Sequence, residues 1–98
     1  RRALPSFSAL GEQESVTVVG TVTGRKATRA KSGMMVVRAF LEDSHGAKLT
    51  VVWFNQAWLE KQLFPGQRII VSGKVKRRGS LVEMSAAHHE IDDDSESL

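Results

Sequence analysis

Leu49-Thr50-Val51-Val52-Trp53-Phe54-Asn55-Gln56-Ala57-Trp58-Leu59-Glu60-Lys61-Gln62-Leu63-Phe64-Pro65-Gly66 is the stretch on which the fold turns. Up to Phe54 it alternates as a strand does, with Leu49, Val51 and Trp53 on a common face and Thr50, Val52 and Phe54 on the other. Asn55 is a good N-cap, and after it the period changes. Leu59 and Leu63, four apart, mark the buried stripe of a helix of roughly two turns over Gln56–Leu63. Phe64-Pro65-Gly66 ends it.

Upstream, Asp43-Ser44-His45-Gly46 has hairpin chemistry and joins this strand to an earlier one. That strand runs from Met34 to Glu42, with Met35, Val37, Ala39 and Leu41 on one side and Val36, Arg38 and Phe40 on the other. Before it lies a basic stretch, Arg25 to Gly33, which reads as a loop. The first strand starts at Val16, with Val16, Val18 and Val22 facing one way and Thr17, Val19, Thr21 and Thr23 the other; Gly20 in its middle lets it bend sharply, as the first strand of a small barrel must. Downstream, Gln67 to Lys76 alternates again, with Ile69, Val71 and Val75 inward and Arg68, Ser72, Lys74 and Lys76 outward. Arg77-Arg78-Gly79 reads as a turn into a fifth strand, in which Val82, Met84 and Ala86 continue the inward face.

The order is strand, strand, strand, short helix, strand, strand. An SH3-like barrel would not need the helix. An OB-fold does: the expected class is all-β, a five-stranded Greek-key OB-fold barrel with a short helix between strands 3 and 4. With 98 residues there is room for one domain and one modest core. We place the barrel at residues 15–89, an N-terminal linker that packs Leu4, Phe7 and Leu10 against it at residues 1–14, and a flexible acidic tail at residues 90–98. The chain opens at Arg1 and has no apolar run fit for a signal peptide or membrane span, so it reads as a piece of a longer soluble protein.

All 14 Lys and Arg precede Glu90, together with six of the 11 acids, so residues 1–89 carry a formal charge of +8. A surplus of that size on so small a body attracts polyanions, nucleic acid first among them; the plain alternative is a charge kept for solubility. Two basic groups stand out, Arg25, Lys26, Arg29 and Lys31 in the first loop and Lys74, Lys76, Arg77 and Arg78 around the last turn. Either can hold phosphates without reading sequence. Arg38 joins them from the non-core face of strand 2.

Aromatics beside such a groove give single-stranded nucleic acid a stacking platform worth roughly 1 to 3 kcal/mol per base. Phe54, at a strand end, and Trp58, turned about 100° from the buried Leu59, are the candidate pair; Phe40 and Trp53 read as structural. Catalysis has no visible carrier. The chain lacks a Walker-type glycine loop, a nucleophile elbow and paired carboxylates on neighbouring strands. It has no cysteine, which excludes disulfides and thiolate metal sites. His88 and His89 lack a third well-spaced ligand from the barrel, so no metal is expected.

The residues around the helix resemble a known family. Leu49 to Leu59, followed by Leu63-Phe64-Pro65-Gly66-Gln67-Arg68 and Val71-Ser72-Gly73-Lys74-Val75, with Val16 to Val22 before them, is similar to the wedge domain of the bacterial helicase RecG. The distinctive part is an aromatic, Phe54, Asn55 and Gln56, with another aromatic at Trp58. It departs from the family's usual residues at Trp53 (more often Phe), Ala57 (often Pro) and Trp58 (usually Tyr).

The resemblance implies a non-catalytic OB-fold wedge that binds branched DNA, a replication fork or Holliday junction, in DNA repair and recombination. Phe54 and Trp58 would stack at the branch point, supported by Asn55 and Gln56. The domain itself would take no cofactor; ATP and Mg would belong to helicase motor domains elsewhere in the same parent chain. It further implies a monomer in a bacterial cytoplasm, without a membrane partner. The alternatives are a generic single-stranded DNA- or RNA-binding OB module, tRNA included, and a protein-interaction barrel whose aromatics are buried.

Overall fold

The computed structural model describes Phe7, residues 13–79 and residues 81–92; of residues 13, 14, 78, 87 and 92 it describes the backbone alone. Strands β1 (Gln13–Arg29), β2 (Met35–Glu42), β3 (Lys48–Phe54), β4 (Arg68–Arg78) and β5 (Leu81–Asp92) close a barrel in the order β1-β2-β3-β5-β4. A 3₁₀ helix, Ala57–Lys61, stands between β3 and β4. All pairings are antiparallel except β3 with β5, which closes the barrel through Thr50↔Glu83, Val51↔Met84 and Val52↔Ser85. The expected class and strand order hold.

Closure depends on β1 serving two neighbours. Its first half pairs with β4 up to Thr21↔Arg68, and its second half pairs with β2 from Thr21↔Glu42 to Arg29↔Met35. A bulge between Val22 and Gly24 turns the strand from one partner to the other. The stretch from Arg25 to Arg29 is therefore strand, not loop. Its cations face solvent while Ala27 packs on the core, and the connection shrinks to Ala30–Met34, with Gly33 at φ 93.

The core holds the alternating residues read from the sequence: Val18, Val22, Val37, Ala39, Leu41, Leu49, Val51, Trp53, Ile69, Val71, Val75, Val82 and Met84. Leu59 and Leu63 plug one end, both fully buried. Phe7 joins the cluster from the N-terminal side, its ring lying where a Cβ on Gly20 would be, 2.8 Å from Cζ. That is what the glycine leaves room for. Leu4 and Leu10 lie outside the described residues.

Three local expectations are corrected. The helix is a single 3₁₀ segment, and Asn55 does not cap it: Asn55 takes the left-handed conformation, φ 64, which Asn tolerates, and so turns the chain off β3 into the helix. Arg77 and Arg78 are the last residues of β4, paired with Val82 and Leu81, and only Gly79, φ 61, is left of the expected turn. Finally, β5 passes the expected boundary at residue 89. Glu90, Ile91 and Asp92 pair with Ile70, Ile69 and Arg68, because a bulge opposite Ser72 and Gly73 inserts Ala87 and switches the inward parity from Met84 and Ala86 to His89 and Ile91.

Candidate nucleic-acid interface

The register of four strands lays out the outer face of the barrel. One row runs straight across it: Lys26 on β1, Arg38 on β2, Val52 on β3, Ser85 on β5 and Lys74 on β4. The row beside it holds Phe40, Thr50, Glu83 and Lys76; on the other side Val36 faces Phe54. Since directly paired residues share a face, these side chains form one surface.

That surface is concave. Val36, Arg38, Val52, Phe54, Lys74, Lys76, Glu83 and Ser85 line a groove of about 510 Å³. Val36 and Val52 are its floor: both are buried, at 7% and 4% exposure, yet neither belongs to the core cluster. Arg38 forms one wall, held by its Nη1 donating to Thr28 Oγ1 at 3.3 Å. Lys74 and Lys76 form the opposite wall. Phe54, 47% exposed, stands at one end.

An exposed aromatic ring offers a face on which a base can stack, and cations on both sides of a groove suit a polyanion whose bases are accessible. Glu83 is the one acid in the lining. The sequence reading did not single out Glu83 and Ser85, although the inward parity of Val82 and Met84 was a signal for them; the pairing of β5 with β3 brings them here.

The remaining candidates lie elsewhere. Trp58, on the 3₁₀ helix, is 53% exposed but does not line the groove. Arg25 lies over the ring of Phe64, 5.6 Å from its centroid, in a cation–π contact at the helix end of the barrel. Arg29 donates to the Gly33 carbonyl at 3.0 Å and steadies its turn, where Lys31 is exposed. Arg77 is exposed at the end of β4; the side chain of Arg78 lies outside the described ones. Asn55 N–H donates to the Met35 carbonyl at 2.8 Å and the Gln56 carbonyl accepts from Leu59 N–H at 3.0 Å.

His88 and His89 are held in β5 opposite Ser72 and Val71. Among the described residues no group of three His, Asp or Glu side chains could hold a metal ion. No helix among them is long and apolar enough to cross a membrane.

A family model described as an OB-fold nucleic acid binding domain, tRNA anti-codon, matches residues 16–92. No curated protein matches the chain. Among solved structures, the second OB-fold domain of replication protein A from Methanococcus maripaludis superposes with a TM-score of 0.69 at 25% identity, over 93% of this chain and 96% of that one. The single-stranded DNA binding protein of Thermus aquaticus gives 0.71 at 20% identity, over 83% of this chain and 41% of its own length. The Stn1–Ten1 complex of S. pombe gives 0.70 at 21% identity, over 87% of this chain and 62% of that one. None of these three is a RecG wedge.

Proposed function

The chain belongs to the tRNA anti-codon family of OB-fold nucleic acid binding domains, and from that premise we propose that it binds single-stranded nucleic acid along the outer groove of β2, β3, β5 and β4. Arg38, Lys74 and Lys76 hold phosphates, a base stacks on Phe54, and Val36 and Val52 give the bases an apolar floor. The domain does no chemistry. The observation that carries this reading is the coincidence of three cations and a half-exposed phenylalanine on one concave face. The replication protein A and single-stranded DNA binding proteins among its structural relatives favour DNA over RNA as the strand.

Fluorescence anisotropy with a labelled single strand, against duplex of the same length and across a salt series, tests it. Tighter binding of the single strand, with affinity falling steeply in salt, is expected; equal or tighter binding of the duplex would remove the reading.

One observation favours a second, narrower reading. Phe54 and Trp58 are both about half exposed on either side of the left-handed Asn55, as a branch-point wedge resembling RecG would require. On that reading the parent is an ATP-dependent helicase acting on forks and Holliday junctions in repair and recombination, its motor domains using ATP and Mg, working as a monomer in a bacterial cytoplasm. Preference of the parent for a three-way junction over the isolated single strand supports the wedge; indifference between the two leaves the groove alone.

A further inference from the structure

Glu83 is out of place in a groove built for phosphates. It stands on β5 between Thr50 of β3 and Lys76 of β4, half-buried, in a lining whose other charged groups are Arg38, Lys74 and Lys76. Among the described residues its carboxylate has no hydrogen-bond or ion-pair partner. A phosphate cannot lie against it, since two anions at contact distance repel. What a single strand can offer there is the edge of a base.

The geometry makes that base a different one from the base on Phe54. Glu83 shares a row with Thr50, four residues along β3 from Phe54, so the two sites lie about 13 Å apart at 3.3 Å per residue. That distance is longer than one nucleotide step, so a second base, not the one stacked on the ring, reaches the carboxylate.

An ionised carboxylate only accepts hydrogen bonds, through two oxygens side by side. Guanine answers both, with N1–H and the exocyclic N2 amine adjacent on its Watson–Crick edge. Cytosine and adenine each answer with one exocyclic amine, as Glu does when it accepts from cytosine N4 in duplex readout. Thymine and uracil present a single N3–H between two carbonyls, whose lone pairs face the carboxylate.

Resting on the single-strand reading of the groove, we propose that Glu83 is a base-selecting residue that favours guanine and disfavours thymine or uracil at one position of the bound strand. The groove is thus not indifferent to sequence. Two terms act on every strand, charge from the three cations and stacking on Phe54; one term, at Glu83, separates the bases.

The test compares a thymine tract with the same tract carrying isolated guanines, single and spaced so that no quadruplex forms, and a third in which inosine replaces guanine. Binding is read by anisotropy to the 98-residue chain at one salt concentration. Guanine raises affinity on the order of tenfold, and inosine, which keeps N1–H and lacks the amine, falls between. In Glu83→Gln, and in Glu83→Ala as a second variant, the thymine tract binds more tightly than to the unchanged chain and the guanine preference collapses. Equal binding of the guanine and thymine tracts, or a guanine preference that survives both variants, overturns the proposal while leaving the groove intact. Failure of the unchanged chain to bind any of the three strands overturns the single-strand reading and this inference with it.

Discussion

The indole N–H of Trp53 donates to Nδ1 of His89 at 3.3 Å, and the two rings meet edge to face, 5.4 Å between centroids at 81°. This contact ties the C-terminal end of β3 to the distal part of β5, beyond the bulge. Trp53 is 1% exposed, so its N–H would be left without a partner if His89 withdrew, at about 1 to 3 kcal/mol. Burial, and then the neighbouring His88, hold the His89 imidazole below its ordinary value. Acceptance at Nδ1 requires that nitrogen to be unprotonated. Because the folded value is the lower one, the unfolded chain takes up the proton first: the His89 contribution to stability is complete above pH 6.5 and is lost as pH falls from there through the folded value. Urea denaturation at pH 7.5 and pH 5 therefore gives a smaller drop for His89→Gln than for the unchanged chain. An equal drop in both would assign the acid sensitivity to other groups.

Asp43 organises the β2–β3 turn and holds the Phe7 backbone. Its Oδ1 accepts from His45 and Ala47 N–H, each at 2.9 Å, and its Oδ2 accepts from Phe7 N–H at 2.8 Å. Asp43→Ala is expected to cost about 2 kcal/mol in chemical denaturation. Asp43→Asn, which keeps one acceptor oxygen, costs less. Because Phe7 is 1% exposed, the loss of its anchor should also loosen the packing of its ring against Gly20, read as a lower melting temperature than the turn contacts alone account for.

Gly73 sits where β4 meets the β5 bulge, and a Cβ there would overlap the Ser85 carbonyl oxygen, with Ser85 C and Ala86 Cα close behind. All three are backbone atoms, so no rotamer relieves the clash. Gly73→Ala is expected to destabilise the barrel by about 2 to 4 kcal/mol, more than the same change at Gly24, where the nearest atom is a phenylalanine side chain at 3.7 Å. Thermal unfolding of the two variants side by side checks the order.

Phe54 and Trp58 separate the two readings of function. Both are exposed, so replacing either with Ala should leave the melting temperature near that of the unchanged chain. Phe54→Ala weakens single-strand binding by about 1 to 3 kcal/mol. Trp58→Ala leaves linear single strands unaffected if the groove is the whole site, and impairs junction binding by the parent if the corner acts as a wedge. Removing Lys76 should lower the slope of log affinity against log salt by about one unit for either ligand.

Much of this was legible because alternation survives in a barrel. The inward residues of β2, β3 and β4 follow strictly from period two, and Arg38, Val52 and Phe54 reach the groove on the parity read from the sequence. The failures share a cause. Arg25, Lys26 and Arg29 look like loop residues by charge, but strand pairing fixes the backbone and lets exposed side chains be anything soluble. The bulge at Ala87 has no local signal; it lies opposite Ser72 and Gly73 on another strand, where the Gly73 and Ser85 backbones come close. Asn55 carries the composition of a cap and the conformation of a turn, two roles for which the same side chain is suited.

The joint between β3 and β5 has three residue pairs, against eleven between β4 and β5. It is the least riveted part of the wall, and the groove lies across it, with Val52 and Phe54 on one bank and Glu83 and Ser85 on the other. A molecule spanning both banks therefore does what backbone hydrogen bonds do sparingly there: it staples the cylinder shut. Ligand binding and closure draw on the same free energy, so the amide protons of this joint should be the ones whose exchange with solvent slows most when the groove is filled.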